Sequence, residues 1–336
     1  MPKVTVLMPT YNVASYVKEA IESVLGQTYE DFDLLVIDDC SIDDTIDVVS
    51  GIDDSRIRIV QNERNLGLAD NLNRGLSLIN TEYVARMDGD DIALPHWLEK
   101  EMNYLESHPE VGVCGGGGER FGSVSSTIRF PEEHDDITAA LLFQCNIIVP
   151  TFRMSLYHEQ GLRYHTDAFP AEDYCFWSEA CAVTGLHNIN DTLFLYRMHS
   201  SQICSSRKEE QRGKVAEVQR RMLSHFEGIT KEEMDYFTGP FLDMIDSRDD
   251  WHQRRVFANR LLLLNSVKGF FNPKALKRKL SSHIQQRLYY TIVERYFGKG
   301  YSLPSYLRYL RSGIALHTGW HYETRFFLKS ILHRKQ

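Results

Sequence analysis

YVARMDGDDIALPHWLEK, residues 83–100, carries a short apolar strand from Tyr83 to Met87 straight into Asp88, Asp90 and Asp91, with only Gly89 between the acids. Neighbouring carboxylates repel and raise one another's pKa, so acids gathered where a strand stops require a cation to relieve them. A divalent metal is the first candidate, and the end of this strand is the first candidate site.

Working outward, the same grammar repeats. KVTVLMPTYN (3–12) reads as a buried strand ending in a turn, and Val17, Ala20, Ile21, Val24 and Leu25 follow at helical spacing. DFDLLVIDDCS (31–41) is a second strand, after which Ser41 is expected to cap a helix with Asp43 and Asp44 in its first turn. RIRIVQN (56–62) is a third strand, and Leu68, Leu72, Leu76 and Ile79 stripe the next helix. Strands alternating with helices predict a parallel, doubly wound α/β sheet. Polar residues then fall at every strand end: Thr10, Tyr11 and Asn12, then Asp38 and Asp39, then Asn62, then Asp88 to Asp91. In open α/β sheets that edge is where ligands bind.

The pattern loosens after VGVCGGGG (111–118), whose glycine run is read as a tight bend. Short apolar runs at 141–153 and 186–197 flank FPAEDYCFW (169–177), which predicts an α+β second half completing the site. The chain turns helical and charged from about 207. Two domains are expected: residues 1–215 catalytic, and 216–336 a mostly helical, basic region.

Net charge is −8 over 336 residues, but it is unevenly placed. From His252 to Gln336 there are 17 Lys and Arg against Glu294 and Glu323, a net of +15; the preceding 251 residues hold 21 basic and 44 acidic side chains, a net of −23. In the basic region KALKRKL, RYLRSG and TRFFLKSILHRK interleave cations with apolar residues. Each Lys or Arg near an anionic leaflet contributes ~1 kcal/mol, so an anionic membrane surface is the expected partner. The acidic first half argues against nucleic acid. Six scattered cysteines without a C-x-x-C pair, an N-terminus that enters a strand at once, and no apolar run near the ~18 residues of a membrane span lead to an expected cytoplasmic protein, peripheral on the inner face of the cytoplasmic membrane.

No G-x-G-x-x-G and no P-loop Lys-Ser/Thr follows the first strand. Carboxylates stand there instead, and hard oxygen ligands at this spacing suit Mg²⁺ or Mn²⁺ bridging the two phosphates of a nucleotide.

PTYN (9–12), VIDDCSIDDT (36–45), NLGLADNLNRGL (65–76), ARMDGDD (85–91), AEDYCFW (171–177) and YRMHSSQ (196–202) occur in this order, and in that order the sequence resembles the family 2 glycosyltransferases, inverting enzymes of the GT-A (Rossmann-like nucleotide-diphospho-sugar transferase) fold. The resemblance implies a UDP-sugar donor. Tyr11 would stack on uracil and Asp39 would accept from its ring N–H, with Thr10 and Asp88 near the ribose and Pro9 and Asn12 completing the donor-binding turn. Asp90 would be the principal metal ligand, His199 an additional ligand or diphosphate contact, and Arg86 would face the pyrophosphate. Inversion needs a base across the sugar from the metal, and the family pattern puts Asp173 there, with Glu172 beside it shaping the acceptor or donor-sugar side.

GLRYHTDAFPAEDYCFW (161–177), YRMHSSQ and HDDI (134–137) look most like the lipooligosaccharide β-1,3-N-acetylglucosaminyltransferases. This implies transfer of N-acetylglucosamine to the terminal galactose of a lipid-linked or oligosaccharide acceptor. Galactosyl or N-acetylgalactosaminyl transfer is the alternative within the family. From other classes stand a sugar-nucleotide pyrophosphorylase, whose Gly-rich basic N-terminal loop is missing here, and a non-enzymatic membrane-binding module. One position departs from the family's habit: Val149 stands before Pro150-Thr151 where members often carry His.

Overall fold

The computed structural model describes residues 2–199, 207–245, 247–312, 314–315 and 320–332. Ser200 to Gln202 of the YRMHSSQ motif, Cys204 and the basic residues at 334–335 lie outside them. The chain forms two compact units, Met1–Met222 and Leu223–Gln336.

The first unit is built on β1 (Val4–Thr10), β2 (Phe32–Asp38), β3 (Ile57–Gln61), β4 (Tyr83–Arg86), β5 (Ile92–Ala93), β6 (Val111–Gly122), β7 (Ser126–Ile128), β8 (Thr151–Arg153) and β9 (Gly185–Met198). Their order is β3-β2-β1-β4-β8-β6-β9-β5, with β7 on β6. The first four are parallel, as the alternation predicts. The rest is mixed: β8 runs antiparallel to β4 and β6, β9 parallel to β6, and β5 antiparallel to β9.

Every residue of β1 is buried, because the helices α1 (Val17–Leu25), α2 (Thr45–Ser50), α3 (Leu68–Ser77) and α4 (Trp97–Ser107) cover the sheet. Val17, Ala20, Ile21 and Val24 of α1 and Leu72 and Leu76 of α3 point into that core. Three shorter helices follow, α5 (His134–Leu141), α6 (Ser155–His158) and α7 (Glu172–Ala180).

Two local expectations are corrected. Ser41 caps nothing: α2 begins at Thr45, and the Ser41 hydroxyl instead donates to Asp38 Oδ1 while its amide donates to Asp38 Oδ2 at 2.9 Å. The Ser41 oxygen, which a cap would use as acceptor, accepts instead from the Asn12 amide at 2.9 Å, and Asp44 takes the N-cap position. Gly115–Gly118 is no bend but the middle of β6, paired with β9 through register shifts on both sides of Gly117. A Cβ at these positions would come within 2.6 Å of Asn188 Oδ1, 2.8 Å of Leu193 Cδ1, 2.8 Å of the Asp191 carbonyl and 2.7 Å of Phe194. Glycine is there because β9 lies too close for a side chain.

The second unit is helical, with long helices at Arg248–Lys268 and Pro273–Phe297 and shorter ones at Leu303–Arg311 and Trp320–Ile331. Asn272 accepts from the amides of Lys274 at 3.0 Å and Ala275 at 3.2 Å, and Pro273 takes the first helical position, where its missing N–H costs nothing. Phe237, Phe241, Leu261 and Leu288 form part of its core. Leu303, Leu307 and Leu310, on one helical face, stay 47%, 45% and 42% exposed. Among the described residues no helix is long and apolar enough to cross a membrane.

Candidate active site

The ends of β1 and β2 are stitched into one platform. Pro9, paired with Ile37, is the last-but-one residue of β1. Thr10 is buried and donates its hydroxyl to Asp38 Oδ1 at 3.1 Å, while the Asp39 amide donates to the Thr10 carbonyl at 2.9 Å. Asn12 has φ +54, a left-handed conformation that Asn tolerates better than most residues, and it is held by its amide donating to Ser41 Oγ and its Oδ1 accepting from the Ile42 amide, both at 2.9 Å. Between them Tyr11 is left 47% exposed, an aromatic face turned to solvent. Asp39 is buried. Its Oδ1 accepts from Asn62 Nδ2 at 2.7 Å and the Leu66 amide at 2.8 Å, and its Oδ2 accepts from the Gly67 amide at 2.8 Å.

The acids of the opening stretch come next to this platform because Gly89 packs on it: a Cβ there would meet Thr10 Cγ2 at 3.0 Å. Each acid has a different partner. Asp90 Oδ2 lies 3.0 Å from His199 Nε2. Asp91 is buried and accepts from the Arg197 amide at 2.9 Å; burial, with the charges of Asp90 and Asp88, pushes its carboxyl well above the usual range. Arg197 also donates its Nε to the Asp90 carbonyl at 2.8 Å and pairs with Glu19 at 2.6 Å, its guanidinium centred 5.0 Å from the Tyr16 ring and 4.6 Å from that of Phe121. It pins the acidic loop to β9.

Arg86, at the end of β4, joins this side of the cleft to α7. Its Nη2 lies 3.0 Å from Asp88 Oδ1, and its Nη1 donates to Asp173 Oδ1. The side chain is only 8% exposed, and against the cost of burial the two carboxylates hold the guanidinium firmly protonated. Glu172 and Asp173 form the first turn of α7, where acids complement the helix dipole. Burial first, then the charge of Asp173, raises Glu172 to about 8, so it is a neutral acid at neutral pH.

Among the described residues, three buried polar atoms around Arg86 have no hydrogen-bond partner: Arg86 Nε, Tyr164 Oη and Glu172 Oε2. Buried polar groups are almost always satisfied, so orphans that feel one another's charge mark a place built for a ligand. Tyr164 is held by its own backbone, whose carbonyl accepts from Asn73 Nδ2 at 2.7 Å and whose amide donates to Asn73 Oδ1 at 2.9 Å.

Because Glu172 carries its proton in the folded chain between 4.5 and about 8 but not in the unfolded chain, its burial favours folding least at the alkaline end of that window, and stability falls as pH rises through it. Urea midpoints for Glu172→Gln are expected to fall less steeply across the window than those of the parent. Equal slopes would show that Glu172 titrates as an ordinary glutamate.

Of the residues singled out in the sequence, Arg86 thus contacts both Asp88 and Asp173, and Asp90 contacts His199, while Pro9, Thr10, Asn12 and Asp39 build the adjoining platform. Asp38, Tyr164 and Arg197 carry no assigned role in the sequence reading. Asp38 carried the signal of a strand-end acid, whereas Tyr164 and Arg197 have partners that only the fold brings near. A second group, His165, Cys175 and Glu179, has its ligand atoms within 4.8 Å of one another, but Arg221 Nη1 already lies 3.0 Å from Cys175 Sγ and 3.5 Å from Glu179 Oε1. Val149, at the position of the family's His, has φ +48 and accepts from Trp97 Nε1 at 3.0 Å through its carbonyl.

The profile of the family described as Glycosyl transferase family 2 matches residues 5–164. An uncharacterized glycosyltransferase of Haemophilus influenzae is 35% identical over 240 residues, 67% of this chain and 74% of that protein. A putative glycosyltransferase of Bacillus subtilis, EpsE, is 40% identical over 119 residues, 34% of this chain and 43% of that one. The fold is similar to that of S. aureus TarS 1–349 in complex with UDP-GlcNAc, with a TM-score of 0.57 and 17% identity, covering 84% of this chain and 92% of that chain. From the relative matched over most of its length, the family profile over the strand-end motifs and this architecture, the chain belongs to glycosyl transferase family 2 and is a glycosyltransferase of GT-A fold.

Proposed function

We propose that this glycosyltransferase is inverting and metal-dependent, moving N-acetylglucosamine from its UDP conjugate to a terminal galactose of a lipooligosaccharide-like acceptor in β-1,3 linkage. The observation that carries the reading is Arg86, which contacts both Asp88 and Asp173 and whose Nε, like Tyr164 Oη and Glu172 Oε2, is buried with no hydrogen-bond partner among the described residues. A UDP-sugar donor is supported by the similar fold of TarS, described in complexes with UDP-GlcNAc and with UDP.

Tyr11 offers an exposed ring for uracil, and Asp39 Oδ2, with a single donor from the Gly67 amide, keeps a lone pair for the ring N–H. The carboxylate oxygen of Asp90 and the imidazole nitrogen of His199, 3.0 Å apart, are a donor set that fits Mn²⁺ or Mg²⁺. When bound there, the metal supplies Lewis-acid neutralisation of the diphosphate leaving group. Arg86 adds a permanent positive charge that the diphosphate can draw on. Neutral Glu172 donates a hydrogen bond to a hydroxyl of the sugar, and Asp173 takes the proton of the acceptor hydroxyl as it attacks from the face opposite UDP. One displacement inverts the anomeric centre, with no covalent intermediate.

Release of UDP from a panel of UDP-sugars, with Mn²⁺ and with or without galactose-terminated acceptors, tests this. Acceptor-dependent release fastest with UDP-N-acetylglucosamine is expected. Preference for the galactose or N-acetylgalactosamine donor would reassign the sugar, and no acceptor-dependent release from any donor would reject the transfer.

The same reading puts the basic second unit on the anionic inner face of the cytoplasmic membrane, where a lipid-linked acceptor is presented. Leu303, Leu307 and Leu310 share a helix with Arg308 and Arg311, the pairing of apolar stripe and cations that an anionic surface takes up. Salt-sensitive binding of the full chain to anionic vesicles, weakened by Arg308→Glu with Arg311→Glu, is the expected result; equal binding to neutral vesicles would argue against it.

A further inference from the structure

Arg86 spans the two halves of the cleft with one guanidinium. Asp88, two residues on, is held at 3.0 Å, and Asp173, 87 residues on, is held by the other terminal nitrogen. One cation therefore serves two carboxylates, whose side chains are 43% and 34% exposed, while its own side chain is 8% exposed. Among the described residues, the other groups that feel its charge are pushed by burial toward their neutral forms: the Glu172 carboxyl, the Cys145 thiol and the Tyr164 phenol, whose ring is centred 5.9 Å away.

This arrangement sits awkwardly with Asp173 as a base. Oδ1 of Asp173 is engaged by Arg86, so part of the carboxylate's lone-pair capacity and charge is committed to a guanidinium instead of to an acceptor hydroxyl. A diphosphate entering beside Asp88 is a second, more highly charged claimant for the same fork of donors, which suits phosphate as well as it suits carboxylate.

We propose that Arg86 is a positioning residue shared between donor and base: without nucleotide its guanidinium holds Asp173, and the diphosphate of an arriving UDP-sugar draws it away, leaving Asp173 free to receive the acceptor proton. Both oxygens of the base are then released from the guanidinium only when a donor is in place, which favours donor-first binding. The inference rests on the reading of Asp173 and of a UDP-sugar donor given above.

Coupling of this kind is reciprocal: if the donor weakens the Arg86–Asp173 pair, loss of the pair strengthens donor binding by the same factor. UDP with Mn²⁺ is the probe, titrated calorimetrically into the parent, Asp173→Asn, Arg86→Gln and the double variant. Asp173→Asn is expected to bind UDP roughly 5-fold tighter or more than the parent, and the gain is expected to vanish when Arg86 is also replaced. Equal affinity of parent and Asp173→Asn overturns the proposal. So does a gain that persists in the Arg86→Gln background, since that is plain repulsion between Asp173 and the nucleotide. Arg86→Lys, which keeps the charge but loses the planar fork of donors, takes the place of Arg86→Gln should that variant not fold, and the gain is then expected to shrink. If neither the parent nor any variant binds UDP, the donor reading fails and this inference with it, a result distinct from binding without coupling.

Discussion

Asp173→Asn is expected to bind the donor more tightly than the parent and to lower sugar transfer by about 10²–10⁴-fold, the range that a positioned general base supplies. The carboxamide keeps the shape of the side chain and its place in the first turn of α7 but cannot accept the proton of a sugar hydroxyl, which is too weak an acid to lose it unaided. Glu172 next door is no substitute, because burial keeps its own proton on it up to about 8. The check is initial rates of acceptor-dependent UDP release beside a UDP titration of the same variant. Transfer at the parent rate would remove Asp173 from the base role. Loss of UDP binding together with transfer would show that the substitution had damaged the cleft instead.

Asp90→Asn is expected to abolish the divalent-cation dependence of donor binding and to slow transfer by about 10²-fold or more, since Lewis-acid stabilisation of a departing diphosphate is worth several kcal/mol and each 1.36 kcal/mol is tenfold. The neighbouring acids do not compensate, because Asp91 is turned to the Arg197 amide and Asp88 to Arg86. His199→Ala, which leaves the carboxylate, is expected to raise the Mn²⁺ concentration needed for half-maximal rate more than it lowers the rate at saturation. The informative measurement is rate against Mn²⁺ for the three proteins. An unchanged Mn²⁺ response in Asp90→Asn would place the metal elsewhere.

The parallel half of the sheet was legible in the sequence because each of its strands is a short apolar run that stops at a polar cluster, and helical periodicity fills the gaps. Thr10, Asp39 and Asp88 could be placed at one edge on that ground alone. What came after was not legible for reasons that are physical. Gly115–Gly118 of β6 look like a turn from local composition, yet they answer to β9, about 70 residues later, whose backbone and Phe194 ring come within 2.8 Å of where the Cβ atoms of Gly117 and Gly118 would be. Ser41 carries a capping residue's chemistry, but its oxygen accepts from the amide of Asn12, 29 residues earlier, a partner that only the fold brings near. Arg86 was singled out only for the pyrophosphate, because a partner 87 residues away leaves no mark on local pattern. Tyr164 and Arg197 matter through the same kind of distant contact.

The most direct measurement is a crystal structure of the Asp173→Asn protein with UDP-N-acetylglucosamine and Mn²⁺. The account predicts uracil against Tyr11, the diphosphate at Asp90 and His199, and residue 173 on the opposite side of the anomeric carbon from the departing phosphate. A nucleotide bound away from the strand ends, or residue 173 on the same side of the sugar as the diphosphate, would contradict it.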